Sequence, residues 1–323
     1  MTTDQVRTPR RFEGSGGITL VADEWGEADA PPIVLLHGGG QTRGTWKVAG
    51  RVLAARGWRV IAPDLRGHGD SDWSPDGAYD VDLFAADVRA LVAVLDEPPV
   101  LVGASLGGLS SLLATGEAPR ASARALVLVD VAHRPDPAGT RRIVDFMAGR
   151  ADGFASLDEA ADTVAAYLPH RPRPEDHDGL RRNLRKKGDR WIWHWDPLLV
   201  ERFANRIHTA TDPARYLSAA RTAAAHTTRT AAGAGPADAT AQTAAATVGV
   251  GVPILLVRGA ISDVVSEKIA AEFCAAVPGV QRLDVAGAGH MVAGDRNEHF
   301  VEAILPFLAS LRASPNDRAS GIS

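Results

Sequence analysis

The segment Gly103-Ala104-Ser105-Leu106-Gly107-Gly108 constrains this chain more than any other. It directly follows the apolar run Pro99-Val100-Leu101-Val102 and leads into a helical pattern, Leu106 to Thr115. A strand must therefore become a helix within one residue, Ser105. Such a turn holds the serine backbone in a strained conformation, and only small neighbours let the two segments pack so closely. The hydroxyl then projects above the sheet, near the positive end of the helix. A helix-capping serine in a glycine turn is the plainer reading of the pentapeptide. The strand before it and the helix after it favour an exposed nucleophile instead.

The same alternation runs through most of the chain. Ile18 to Trp25, Pro32 to Leu36, Trp58 to Leu65 and Ala123 to Val131 read as strands, joined by Val252 to Val257 and Val280 to Val285. Trp46 to Arg56, Asp80 to Asp96, Ser266 to Val277 and Asn297 to Leu311 read as helices; in the second, Val81, Phe84, Val88, Leu91 and Leu95 recur at alternating spacings of three and four. Nearly uniform apolar runs such as Ala125-Leu126-Val127-Leu128-Val129 suit strands covered by helices on both faces. With right-handed crossovers, the pattern is an α/β fold with a mostly parallel, doubly wound sheet.

Residues 132–250 break the alternation. This stretch is helix-biased, carries Trp191, Trp193 and Trp195, and closes in an Ala/Thr/Gly-rich tract from Ala219. It is too long for a loop and is expected to form a helical cap over the strand ends, with Ala231 to Ala245 as a flexible hinge. The core is thus expected in two parts, 1–131 and 251–323, around a cap at 132–250.

Leu35-Leu36-His37-Gly38-Gly39-Gly40 ends an early strand. A glycine-rich loop there can aim a backbone N–H at the site and, with the N–H of Leu106, form an oxyanion hole. Gly39 is the first choice of donor and Gly40 the second. No G-x-x-x-x-G-K-[ST] pattern accompanies the loop, which disfavours a phosphate cradle.

Taken with Pro63-Asp64-Leu65-Arg66-Gly67-His68-Gly69-Asp70-Ser71, Arg258-Gly259-Ala260-Ile261-Ser262-Asp263 and Gly287-Ala288-Gly289-His290-Met291, these motifs resemble the α/β-hydrolase superfamily. The esterase, haloperoxidase-like and lactonase branches are the most similar. The resemblance implies a mostly parallel eight-stranded sheet flanked by helices, with a helical cap insertion. It implies His290 as the general base for Ser105, and Asp263 as the acid that orients the imidazole; Asp130, after the preceding strand, is the alternative. His37 and His68 are expected to support the loops around the pocket. Trp46, Trp191, Trp193, His194 and Asp130 are the candidates to line it.

The implied activity is hydrolysis of a carboxylic ester or lactone of a small-to-medium, partly apolar substrate through an acyl-enzyme, with no cofactor and no metal. The alternatives are a cofactor-free perhydrolase or haloperoxidase-like activity, a carbon–carbon bond hydrolase, and a small-molecule receptor retaining the fold. Composition excludes little more. Across 323 residues the formal net charge is −4, which gives no general attraction to nucleic acid or anionic membrane. The single cysteine, Cys274, cannot form an internal disulfide. The run Arg181 to Lys187 is expected as a solvated helix face, and Glu175-Asp176-His177-Asp178 as charged surface before a metal site. With no secretory pattern in Met1 to Gly14 and no long apolar stretch, a cytoplasmic monomer or homodimer is expected, without nucleic-acid or membrane partners.

Overall fold

Alternate residues of each central strand must be buried on opposite faces, and the core divides accordingly. The computed structural model describes residues 9–169, 173, 177–206, 212–225, 251–290, 292 and 297–312. One sheet contains β1 (Arg10–Glu13), β2 (Thr19–Trp25), β3 (Pro32–Leu36), β4 (Arg59–Pro63), β5 (Val100–Ala104), β6 (Ala125–Val129), β9 (Ile254–Gly259) and β10 (Gln281–Val285). Its order is β1-β2-β4-β3-β5-β6-β9-β10. Only the two pairings made by β2 are antiparallel. On β3, Ile33 and Leu35 join one hydrophobic cluster while Val34 and Leu36 join the other.

The first of those clusters packs under α1 (Lys47–Ala54) and α10 (Asn297–Arg312). The opposite face carries α2 (Val81–Ala93), α3 (Leu106–Gly116), α8 (Pro213–Ala225) and α9 (Glu267–Ala276). The expected eight-stranded, helix-covered sheet is therefore observed. Strand β1 was not anticipated, because Met1 to Gly14 is too polar to read as one. It pairs with β2 at the sheet edge and buries one side chain, Phe12, in the core.

The cap lies between β6 and β9 and is not purely helical. It holds α4 (Pro137–Ala148), α5 (Leu157–Tyr167), the single turn α6 (Asp178–Arg181) and α7 (Pro197–Arg206), together with a two-stranded antiparallel ribbon. The ribbon pairs β7 (Leu184–Lys187) with β8 (Arg190–Trp193). Most of the basic run expected on a helix is thus on a strand, where exposed Arg185, Lys186 and Lys187 edge the cap. Helix α8 belongs to the sheet-covering layer: Tyr216, Ala219, Ala220 and Ala223 are buried, and α8 packs on α3. The proposed hinge, Ala231 to Ala245, lies outside the described residues. No described helix is long and apolar enough to cross a membrane.

The contact between α3 and the sheet gives a direct test. A Cβ on Gly107 would lie 2.5 Å from the Leu36 carbonyl oxygen. Gly107→Ala is expected to cost about 1–3 kcal/mol, read as a lower urea midpoint. An unchanged midpoint would contradict so close an approach.

Candidate active site

Ser105 stands between β5 and α3 with φ 46° and ψ −111°, a left-handed conformation that side chains rarely adopt. The strain is held by packing on both sides. A Cβ on Gly103 would meet the Gly107 carbonyl at 2.4 Å, and one on Gly108 would meet Val131 at the same distance. Backbone bonds complete the clamp: Ser105 N–H donates to the Val129 carbonyl at 3.1 Å, and Leu109 N–H to the Ser105 carbonyl at 3.0 Å. The nucleophile expected from the elbow sequence therefore sits at the C-terminal edge of the sheet, on the wall of a cavity it shares with His290.

His290 does not meet the aspartate expected for it. Its Nδ1 lies 2.7 Å from Asp130 Oδ2. A carboxylate accepts, so Nδ1 carries the proton and Nε2 is left as the basic nitrogen. Asp130 is fully buried, at the end of β6, with φ 48°. Its Oδ1 accepts the Gly259 N–H at 3.0 Å, and its Oδ2 also takes the Ser262 hydroxyl at 2.5 Å. Asp263 is 37% exposed and pairs instead with Arg142 at 3.1 Å. The loop after β9 folds so that Ser262 faces Asp130 while Asp263 turns to solvent. Arg134, four residues after Asp130, bonds Glu272 at 2.6 Å.

The loop after β3 is organised by two buried imidazoles. His37 accepts the Leu65 N–H on Nε2 at 2.9 Å and donates from Nδ1 to the Gly38 carbonyl at 2.8 Å. His68 accepts the Gly40 N–H on Nε2 at 3.2 Å and donates from Nδ1 to the Arg66 carbonyl at 2.9 Å. The rings meet edge to face, 4.9 Å apart. Each accepts a backbone N–H and so must be neutral. Gly40 consequently drops out as an oxyanion donor, and Gly38 spends its N–H on Gln41 Oε1 at 2.9 Å. Gly39 and Leu106 both line the cavity, and neither N–H has an acceptor among the described residues.

Burial lowers the pKa of His37 to about 4 and that of His68 to about 3. Both lie below the unfolded value, so the unfolded chain takes up protons first as pH falls. Their contribution is intact above about pH 6.5 and is lost between there and about pH 4 for His37 and about pH 3 for His68, at about 1.4 kcal/mol per pH unit for each ring. His68→Gln is expected to flatten that acid slope in urea titrations from pH 7 to 4.5; an unaltered slope would show that His68 protonates freely.

The cavity measures about 560 Å³ and is walled mostly by apolar side chains from the core and the cap. Met147 of α4 and Phe203 of α7 close over the glycine loop: a Cβ on Gly40 would meet Met147 at 3.1 Å, and one on Gly39 would meet Phe203 at 3.3 Å. Of the expected pocket residues, Asp130 and Trp193 line this cavity. Trp46 is buried on the opposite face of the sheet against Phe300. Trp191 pairs by backbone with Phe154 and lies under Arg181. His194 faces a separate surface hollow, 3.7 Å from Asp70. Period-two alternation puts residues 191 and 193 on one face of β8, and His194 follows the end of that strand. Trp193 reaches the cavity because Phe146, Phe154 and Trp195 surround its ring.

Among the described residues, no group of three or more His, Cys, Asp or Glu side chains is arranged to hold a metal. Glu175 and Asp176 lie outside those residues. His177 pairs with Asp158 at 3.3 Å.

A family model described as alpha/beta hydrolase fold matches residues 31–296. An esterase of Mycobacterium tuberculosis is 33% identical over 187 residues, 55% of this chain and 61% of that protein's length. The 3-hydroxybutyrate-oligomer hydrolase of Cupriavidus necator is 28% identical over 276 residues, 83% of this chain and 85% of its own. The crystal structure of an alpha/beta hydrolase from Novosphingobium aromaticivorans superposes with a TM-score of 0.74 at 25% identity, covering 94% of this chain and 98% of that one.

Proposed function

The chain belongs to the α/β-hydrolase fold family, and on that footing we propose that this hydrolase cleaves a carboxylic ester or lactone through an acyl-enzyme on Ser105, His290 and Asp130. The observation that carries the reading is the 2.7 Å bond from His290 Nδ1 to a fully buried carboxylate, in a cavity wall shared with Ser105. It leaves Nε2 free to take a proton, which a serine hydroxyl must lose to become a competent nucleophile at neutral pH.

In the first step Ser105 Oγ bonds to the ester carbonyl carbon as its proton passes to His290 Nε2. The carbonyl π electrons move onto oxygen, and the N–H groups of Gly39 and Leu106 receive that charge. Buried Asp130 stabilises the imidazolium without taking its proton. The intermediate collapses, the carbon–oxygen bond to the leaving group breaks, and His290 protonates the departing alkoxide. Water then attacks the acyl carbon while giving a proton to His290, and the carboxylic acid leaves as Ser105 is reprotonated. The apolar wall supports a small-to-medium, partly apolar substrate.

The test is acid release at constant pH on a panel of acyl esters, lactones and thioesters. A phosphonate ester that traps activated serines is applied in parallel, and the adduct is mapped by mass spectrometry. Acid release abolished in step with labelling of the Ser105 peptide is the expected result. A folded protein that is silent on the panel and unlabelled would overturn the reading.

A further inference from the structure

The loop that was expected to supply the acid supplies something else. Ser262 Oγ accepts two backbone N–H groups, from Val264 and Val265, both at 3.1 Å. Its lone pairs are thereby engaged, and its own hydrogen is left for Asp130 Oδ2, 2.5 Å away. That is the same oxygen that receives His290 Nδ1–H. We infer that Ser262 is a positioning residue for the hydrolytic reaction, which fixes the Asp130 carboxylate and sets how strongly it supports a charged His290. This rests on Asp130 being the acid, as proposed above.

The physical sense follows from sharing one oxygen between two donors. Two N–H groups pointing at Oγ polarise the hydroxyl and make it a stronger donor. A donor on a carboxylate stabilises its charged form, and the Ser262 hydroxyl is such a donor on Asp130. The same hydrogen bond draws charge away from Nδ1–H and moderates the stabilisation of the imidazolium. The Ser262 bond thus sets the charge that His290 meets as it accepts the Ser105 proton.

The other charged groups on the packed segments are engaged elsewhere. Asp263 is paired with Arg142, Arg258 with Asp284 at 2.9 Å, and Arg134 with Glu272. His133 also lies by Glu272, at 3.7 Å, stacked on Phe273, and burial lowers its pKa. None of these replaces the Ser262 hydroxyl on Asp130.

Ser262→Ala removes the donor, so the unshared carboxylate charge acts fully on His290 Nδ1–H and the acid limb of the kcat/KM profile moves. The limb is expected to rise by about half to one pH unit, with kcat on the plateau reduced about three- to tenfold. Ser262→Thr keeps the hydroxyl and is expected to restore the wild-type limb. If the alanine variant does not fold, Ser262→Cys carries the test, with a weaker donor and a shift in the same direction. Asp130→Asn is assayed beside them. Full activity in that variant would overturn the acid assignment itself. Loss of activity there, together with a wild-type acid limb in Ser262→Ala or Ser262→Cys, would overturn the role of Ser262 alone.

Discussion

Replacing Ser105 with alanine is expected to lower kcat/KM on the best ester of the panel by about a million-fold, with the urea midpoint unchanged. The size follows from how the three groups act as a unit: once the nucleophile is gone, the general base has nothing to deprotonate, and only binding and oxyanion stabilisation remain. The fold should survive because, among the described residues, no hydrogen bond of the Ser105 hydroxyl holds the turn. The backbone at φ 46° is clamped by Gly103, Gly107 and the Val129 carbonyl, all untouched by the change. Initial rates with purified variant at high enzyme concentration make the measurement. Activity within tenfold of the wild type would remove Ser105 from the mechanism.

The second large effect separates two aspartates. Asp130→Asn is expected to cost about 10³- to 10⁴-fold in kcat, whereas Asp263→Asn should stay within about threefold. Three donors converge on Asp130: the Gly259 N–H, the Ser262 hydroxyl and His290 Nδ1–H. An amide has only one oxygen to offer them, and its NH2 group must face at least one donor. If that donor is His290, the ring is driven to the tautomer with the proton on Nε2, which cannot accept from Ser105. Asp263 pairs with a half-exposed arginine, an ion pair of the kind that contributes about 1 kcal/mol or less. Comparing kcat for the two variants on one ester decides the matter. Equal losses would mean that Asp263 reaches the site during turnover.

Close approach of strand and helix was legible in the chain itself. Gly103, Gly107 and Gly108 surround Ser105 because a Cβ at any of them would collide with backbone or Val131, and such a demand is met only by glycine at those sequence positions. The apolar runs of β3, β5 and β6 are equally local: each is buried on both faces, so composition alone marks them. The same holds for the helix heads. Ser266 accepts the Ile269 N–H and starts α9, as its position before an apolar-periodic stretch requires.

Other assignments depended on contacts between segments far apart in the chain. Asp130 and Asp263 both follow strands that are neighbours in the sheet, β6 and β9, so either was placed to reach His290. The choice was made by Asp130 adopting φ 48° and by the β9 loop turning Ser262 inward. Likewise, Gly40 has the composition of an oxyanion donor, but its N–H is taken by a histidine 28 residues away. Trp46 and Trp193 are chemically alike, yet Trp46 packs against Phe300 beneath α1 and α10 whereas Trp193, in the cap, lines the cavity. Sequence determined the features set by a residue's immediate neighbours, because sterics and periodicity act over a few positions. Tertiary structure alone decided which polar groups pair, because a buried donor takes whichever acceptor folding brings within about 3 Å.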